Sequence, residues 1–354
     1  MKKSISELRQ DAVSGDWVVI ATGRAKRPHD FLQEKRPTFR TPKESCPFEA
    51  LHPDALIVFS RGQKREKAQW WVEAISNKYP AFAPLEKSLT GLGKRGCASF
   101  YAAGPYRWTE GIGFHEVVVT RDHTRSIAEM SDEEVEMVIR AYQERYRALQ
   151  KEDCIEYIAI FHNHGRLSGA TIAHPHSQIM ALPVIPPAVG RSLKGSSEYF
   201  RSNHSCIHCA VIKHELGAAS RIIYENESCV ALAPYASKTA FEMRIFPKAH
   251  SAHFEKIQDA ERAGLAAALR VTLAKLRKGL NNPDYNFFLH TAPAADKKEY
   301  DHYHWHIEIL PKTAIWAGFE IGTGIEISTI SPESAAAFLK SIKEDSPPGN
   351  RVSR

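Results

Sequence analysis

Two stretches of the chain carry the same alternation of apolar and polar positions. Val138, Tyr142, Tyr146 and Leu149 recur at steps of four, four and three, and so do Leu265, Leu269, Leu273 and Leu276. Those steps lay one apolar face along an α-helix. Ser131 with Glu134 predicts a capping box for the first helix, and Asp259 a cap for the second. A strand-like run follows each helix, Glu156 to His162 and Asp284 to His290. A branched apolar run, a basic residue and a histidine precede each, VVVTRDH ending at His123 and RIFPKAH ending at His250.

The match extends further out. Upstream of each half lies a cysteine motif, Cys46-Pro-Phe-Glu49 and Cys206-Ile-His-Cys209. Downstream comes a histidine cluster, His174-Pro-His176-Ser-Gln178 and His304-Trp-His306-Ile-Glu308. One such match is unremarkable; an ordered series of them reads as an internal duplication. The expected fold is therefore α+β, two tandem units, each an antiparallel sheet with a long helix packed on it. The expected division is 1–190 for the first unit, 200–344 for the second, and a disordered tail at 345–354. A linker rich in proline, serine and glycine is expected from Pro183 to Ser205, with loops at Arg61 to Lys67 and Thr90 to Gly96.

Composition narrows the function classes. At 354 residues, 43% hydrophobic and 25% charged, the chain is too ordinary for a disordered or fibrous protein. No apolar leader opens it, and the long uncharged stretch Leu167 to Gly190 holds four prolines, which argues against a membrane span. A net charge of +6, from 47 basic and 41 acidic residues, suits phosphate-bearing ligands without singling out nucleic acid. Six cysteines are too few for a disulfide scaffold. The Cys206-x-x-Cys209 spacing points instead to a thiolate metal site in a reducing, cytoplasmic compartment.

His174, His176 and Gln178 would share one face of a strand, with Pro175 where its missing N–H is tolerated. The bland reading is a polar edge strand or hydrogen-bonded core histidines. The cluster follows an Asn163–Thr171 loop, and HPHSQ after such a loop resembles the active-site segment of the galactose-1-phosphate uridylyltransferase family, a branch of the histidine-triad superfamily. RAKRP at Arg24 to Pro28, Ser76-Asn77-Lys78-Tyr79-Pro80 and GFEIGTG at Gly318 to Gly324 resemble further segments of that family, in order along the chain.

The resemblance implies a nucleotidyltransferase. His176 would attack the α-phosphorus of a nucleoside diphosphate sugar, form a nucleotidyl-histidine and release a sugar 1-phosphate. A second sugar 1-phosphate would then take the nucleotide, UMP in the leading reading. Gln178 would donate to a phosphoryl oxygen. Arg24 and Arg27 would meet the phosphates, with Asn163, Gly165, Gly169 and Thr171 supplying loop donors. Asn77 would lie near the nucleotide and Glu320 would accept from sugar hydroxyls. Glutamine at 178 in place of a third histidine favours transfer over hydrolysis, and Glu308 makes His306 a poor second nucleophile. The family also implies a homodimer and sheets joined edge to edge into a half-barrel.

Duplication and resemblance together suggest two structural zinc sites. Cys206, Cys209, His250 and His304 form a Cys₂His₂ set suited to tetrahedral zinc. His253 and His302 are alternatives to its histidines. The first set is Cys46, Glu49, His123 and His174, with Glu49 standing where the family usually has a second cysteine and His52 as a substitute. Two further readings stay open: an ADP-sugar phosphorylase or adenylyltransferase, and a zinc-stabilised nucleotide- or RNA-binding module with a silent site. The paired His176 and Gln178 speak against a silent site, and the modest charge excess against RNA.

Overall fold

The computed structural model describes residues 6–24, 39–61, 69–84, 101–294 and 300–343. A hairpin of β1 (Glu7–Gln10) and β2 (Trp17–Ile20) opens it, followed by β3 (Ile57–Arg61) and β4 (Gln69–Ser76). A small hairpin, β5 (Tyr101–Ala103) and β6 (Tyr106–Trp108), precedes β7 (Phe114–Thr120). Helix α1 (Asp132–Leu149) leads to β8 (Tyr157–His164) and β9 (His176–Leu182). Helices α2 (Pro187–Asn203) and α3 (Ile207–Ala218) carry the chain to β10 (Ile222–Glu225), β11 (Cys229–Leu232) and β12 (Met243–Pro247). After α4 (Asp259–Gly279) come β13 (Tyr285–His290) and β14 (His306–Pro311), then α5 (Gly318–Thr323), β15 (Glu326–Ser328) and α6 (Pro332–Ser341).

Ten strands form one antiparallel sheet in the order β10-β11-β12-β14-β13-β8-β9-β7-β4-β3. Read outward from its centre, the order repeats: β8-β9-β7-β4-β3 one way and β13-β14-β12-β11-β10 the other. The duplication is thus visible as pseudo-twofold topology, and the halves join edge to edge where β8 pairs with β13. That joining leaves neither copy with an open inner edge.

The two helices whose periodicity was plain in the sequence cover one face. Val138, Tyr142, Tyr146 and Leu149 of α1, and Leu265, Leu269, Leu273 and Leu276 of α4, are all buried in one apolar core with Val118, Ile158, Ile179 and Ile245. Each such side chain contributes about 1.5–3 kcal/mol of burial. Ser131 caps α1, accepting from the Glu134 N–H while the Glu134 carboxylate accepts from the Ser131 N–H. The α4 cap differs from the expectation. Gln258 takes that place, with its N–H on the Glu261 carboxylate, and Asp259 is the first helical residue. There its charge still meets the positive end of the helix dipole.

The expected linker is mostly helix. Pro187 pre-sets the first turn of α2, and Val189 and Leu193, four apart, are buried. Gly195 lies against the Val13 carbonyl, where a Cβ would come within 1.9 Å. Arg27, the Thr90 to Gly96 loop, the Arg61 to Lys67 loop beyond Arg61 and the 345–354 tail lie outside the described residues. Among the described residues no helix is long and apolar enough to cross a membrane.

Candidate active site and metal centres

Strand β9 runs between β7 and β8 inside the sheet, so a polar edge strand is excluded. Pro175 stands just before its first residue, outside the ladder. Alternation turns Ser177, Ile179 and Ala181 into buried positions and His176 and Gln178 onto the opposite, partly open face. The His176 Nδ1 lies 2.8 Å from the His174 carbonyl oxygen. A carbonyl only accepts, so Nδ1 carries the proton and Nε2 keeps a free lone pair. Burial pushes the His176 pKa below the ordinary histidine range, against the weaker pull of that hydrogen bond. The ring is therefore a neutral imidazole with its lone pair on Nε2.

Gln178 is held by a residue that the sequence reading misses. The Ala81 N–H points at His115 Nδ1 across 3.3 Å, which makes that nitrogen an acceptor. His115 Nε2 then carries the hydrogen and donates it to Gln178 Oε1 at 2.8 Å. With its oxygen held, Gln178 presents its NH₂ away from His115. Asn77 packs against the same ring: its Oδ1 accepts from the Tyr79 N–H, which leaves its NH₂ 3.1 Å from the protonated His115 Nε2, a contact of two donors that is not a hydrogen bond. In sequence His115 is only a polar step in an apolar strand. It reaches Gln178 through the β7–β9 register, which pairs Val117 with Gln178.

The loop after β8 has a fixed shape. Gly165 and Gly169 have positive φ, +83° and +91°, flanking the short turn Arg166–Ser168. The N–H groups of Leu167, Ser168, Gly169 and Ala170 all have partners, on Asp284, Gly165 and Arg166. The glycines thus shape the loop, and these four N–H groups are already engaged within it or by Asp284. Asn163 leaves β8 on the His176 face, and Thr171 is exposed at the end of the loop. A cavity of about 460 Å³ borders Asn163, Gly165, His174 and Pro175.

Beneath β9, the Tyr142 hydroxyl, Ser177 Oγ and His162 Nδ1 form a buried chain at 2.5 and 2.9 Å. Arg24 ends the turn Thr22–Arg24, but its side chain, like all of Arg27, lies outside the described residues. Glu320 sits on the exposed α5, where its carboxylate accepts from the Ala317 N–H at 3.0 Å. No hydrogen bond among the described residues joins it to the His176 site.

Two sets of potential ligands converge as the duplication predicts, each with its ligand atoms within 4.8 Å of one another. In the first, His174 Nε2 donates to the Thr120 carbonyl at 2.6 Å and His123 Nε2 to the Thr41 carbonyl at 2.7 Å. Both Nδ1 atoms are therefore bare, yet they face each other at 3.2 Å, with Glu49 Oε2 2.7 Å from His123 Nδ1 and Cys46 Sγ 3.5 Å from His174 Nδ1. Lone pairs and a carboxylate at such distances repel unless a cation lies among them. The donor set fits a metal ion.

In the second set His304 Nε2 donates to the Pro247 carbonyl at 3.0 Å, leaving Nδ1 3.5 Å from Cys209 Sγ. His250 Nδ1 lies 3.3 Å from the same sulfur. Hydrogen bonding between the two sulfurs pulls Cys206 below the ordinary thiol range and pushes Cys209 above it, so the pair shares one proton between two sulfurs held side by side. The alternatives lie outside both converging sets: His253 faces Glu255, His302 packs against the Phe200 and Tyr300 rings, and His52 donates to the buried Glu73. A third set, His290, His306 and Glu308, also converges, with Arg244 Nε 3.6 Å from Glu308.

The chain is similar to known proteins. A family model described as galactose-1-phosphate uridyl transferase, N-terminal domain, matches residues 1–186, and a domain of unknown function (DUF4921) matches residues 111–344. ADP-glucose phosphorylase of Arabidopsis thaliana is 34% identical, over 95% of this chain and 93% of its own. Galactose-1-phosphate uridylyltransferase of Thermotoga maritima is 27% identical, over 94% of this chain and 98% of its own. The crystal structure of the A. thaliana ADP-glucose phosphorylase with bound ADP-glucose superposes with a TM-score of 0.78 at 31% identity, covering 96% of this chain and 99% of that one. A uridylyltransferase structure gives a TM-score of 0.71 at 27% identity, covering 95% and 98%.

Proposed function

The chain belongs to the galactose-1-phosphate uridylyltransferase family, enzymes of transferase or phosphorylase type, and from that premise we propose that it transfers a nucleoside monophosphate through His176. One observation carries the reading: the His174 carbonyl holds the proton of His176 on Nδ1, and burial keeps the ring neutral. Nε2 attacks the α-phosphorus of a nucleoside diphosphate sugar. An N–P bond forms, the bond from that phosphorus to the bridging oxygen breaks, and a sugar 1-phosphate leaves. An oxygen of the acceptor then attacks the same phosphorus and the N–P bond breaks, restoring the neutral imidazole. With phosphate as acceptor the product is a nucleoside diphosphate; with a sugar 1-phosphate it is a new nucleotide sugar.

Gln178, its oxygen held by His115, directs its NH₂ at the phosphoryl oxygens as charge builds. Asn163 and Thr171 add side-chain donors in the loop that Gly165 and Gly169 shape. Arg24 and Arg27 neutralise the phosphates, Asn77 meets the nucleotide, and Glu320 accepts from the sugar. The division into a catalytic unit, 1–190, and a second unit, 200–344, belongs to the same reading, as does a homodimer. Cys206, Cys209, His250 and His304 would hold one zinc ion, and Cys46, Glu49, His123 and His174 another. Zinc supplies a tetrahedral cross-link. In the first copy its consequence is local, because the residue whose ring is a ligand, His174, also offers the carbonyl that orients His176.

The 34% identity to an ADP-glucose phosphorylase, against 27% to a uridylyltransferase, favours ADP-glucose as donor and phosphate as acceptor. UDP-glucose with a hexose 1-phosphate is the second reading. Incubation with α-³²P-labelled ADP-glucose and UDP-glucose tests both. Acid-labile label is expected on the wild type and absent from His176→Ala; a labelled His176→Ala protein refutes the nucleophile. Release of that label by phosphate, or only by sugar 1-phosphates, decides between phosphorylase and transferase.

A further inference from the structure

The loop beside His176 is gripped from the other copy. β13 pairs with β8 so that Asn286 stands opposite Asn163. The Asn286 Nδ2 is 2.9 Å from the Ser168 carbonyl oxygen and 2.7 Å from Asn163 Oδ1. The carbonyl fixes the assignment: it can only accept, so the Asn286 atom is its NH₂, and the Asn163 atom it also reaches must be oxygen. Asn163 therefore turns its own NH₂ away from β13. Two residues earlier, Asp284 Oδ2 accepts from the Leu167 N–H at 2.6 Å. The same carboxylate fills the space beside Gly165, where a Cβ would come within 2.3 Å of it.

Resting on the function proposed above, we propose that Asn286, assisted by Asp284, is a positioning residue for the transfer step. Asn286 presents the Asn163 NH₂ to the phosphate that His176 attacks, and with Asp284 it clamps the loop at Ser168 and Leu167. Asn286 is itself buried and touches no reacting atom; it acts through Asn163. The second copy thereby contributes to a reaction whose nucleophile lies in the first. A carboxamide left free to rotate would offer its oxygen to an anionic phosphate about as often as its NH₂, so fixing the rotamer removes a repulsive state.

A double-mutant cycle on the full-length protein tests this. Asn286→Ala is expected to lower kcat with ADP-glucose or UDP-glucose by roughly 10- to 100-fold, with KM changed by less than about threefold. Asn163→Ala should do the same, and Asn163→Ala/Asn286→Ala should be no slower than Asn163→Ala alone. Asn286→Asp, near-isosteric but an acceptor, should be slower than Asn286→Ala, because it draws the Asn163 NH₂ back toward β13. Multiplicative losses in the double variant, or wild-type kcat in Asn286→Ala, would overturn the proposal. Should Asn286→Ala fail to fold, the same cycle run with Asn286→Asp decides it. If the wild type takes no label from either nucleotide sugar, the proposed function itself fails, an outcome distinct from any of these.

Discussion

The two strand-start histidines, His176 and His306, are held alike and surrounded differently. Each donates Nδ1–H to a carbonyl two residues back, at 2.8 Å from His174 and 3.2 Å from His304. Each of those upstream histidines in turn donates to the last residue of a neighbouring strand, Thr120 of β7 and Pro247 of β12. The backbone device is duplicated in full. What diverges is the face beside it. The sheet pairs Val117 with Gln178 in the first copy and Arg244 with Glu308 in the second. Arg244 reaches Asp11 at 2.9 Å and Glu242 at 3.2 Å, so the N-terminal turn closes over this face. His306 is stacked on His290 and Phe246, 4.8 and 5.0 Å between ring centres. One copy keeps a neutral, partly open face; the other has filled that face with rings and compensated charges.

The sharpest way to break the comparison is to remove each ring in turn. His176→Ala should lower kcat by about 10⁴-fold or more, since no other group forms the covalent bond. His306→Phe, which keeps a ring in the stack, should leave kcat within about threefold. Comparable losses in both would mean that the second copy also does chemistry.

Importing one copy's charge into the other is the next test. Gln178→Glu, which copies Glu308, exchanges a donor for a carboxylate beside the phosphate and should slow turnover roughly 100-fold. Glu308→Gln should leave turnover nearly unchanged but destabilise the fold by about 3 kcal/mol, because Arg244 loses a buried partner. Urea unfolding and steady-state rates on the same samples separate the two effects.

The metal sets should fail in different ways. Metal analysis of the wild type is expected to return about two zinc ions per chain. Cys206→Ser should lose one of them and lower the melting temperature by roughly 10 °C. Cys46→Ser should lose the other and slow turnover about tenfold with less effect on melting, since His174 would both ligate that ion and, through its carbonyl, orient His176. If Cys46→Ser melts early but turns over normally, the first site has no positioning role.

The contrast also marks how far the sequence can be read. The helix faces, the strand runs and both ligand sets were legible because their spacing is local or repeated. The preference for His250 over His253, and for His304 over His302, rested on the repeat together with the family resemblance. Asp259 was misplaced by one residue because Gln258, an unusual cap, takes the place before it and meets Glu261 three residues on. His115, Asn286 and the Arg244 network could not be found this way. Their partners are 63, 123 and 233 residues away; strand register brings the first two pairs together, and the N-terminal turn packed over the second copy's face the third.

The smallest effect is expected with pH, and it bears on both copies at once. Burial lowers the pKa of His176, and lowers those of His162 and His306 well below the ordinary range. Unfolded histidine titrates near about 6.5, so below that pH the unfolded chain takes up protons that these native rings refuse. Stability is therefore full above about pH 6.5 and falls as the pH drops below it. Activity should stay on its plateau past that point, because His176 remains neutral, and decline only at lower pH. His306→Phe removes one of the refused protons and should flatten the fall in melting temperature between about pH 6.5 and 5, by roughly a few degrees. It should leave the acid limb of kcat/KM where it was, since that limb belongs to the first copy. A limb that moves with His306→Phe would tie the second copy's ring to catalysis and undo the division of labour between the halves.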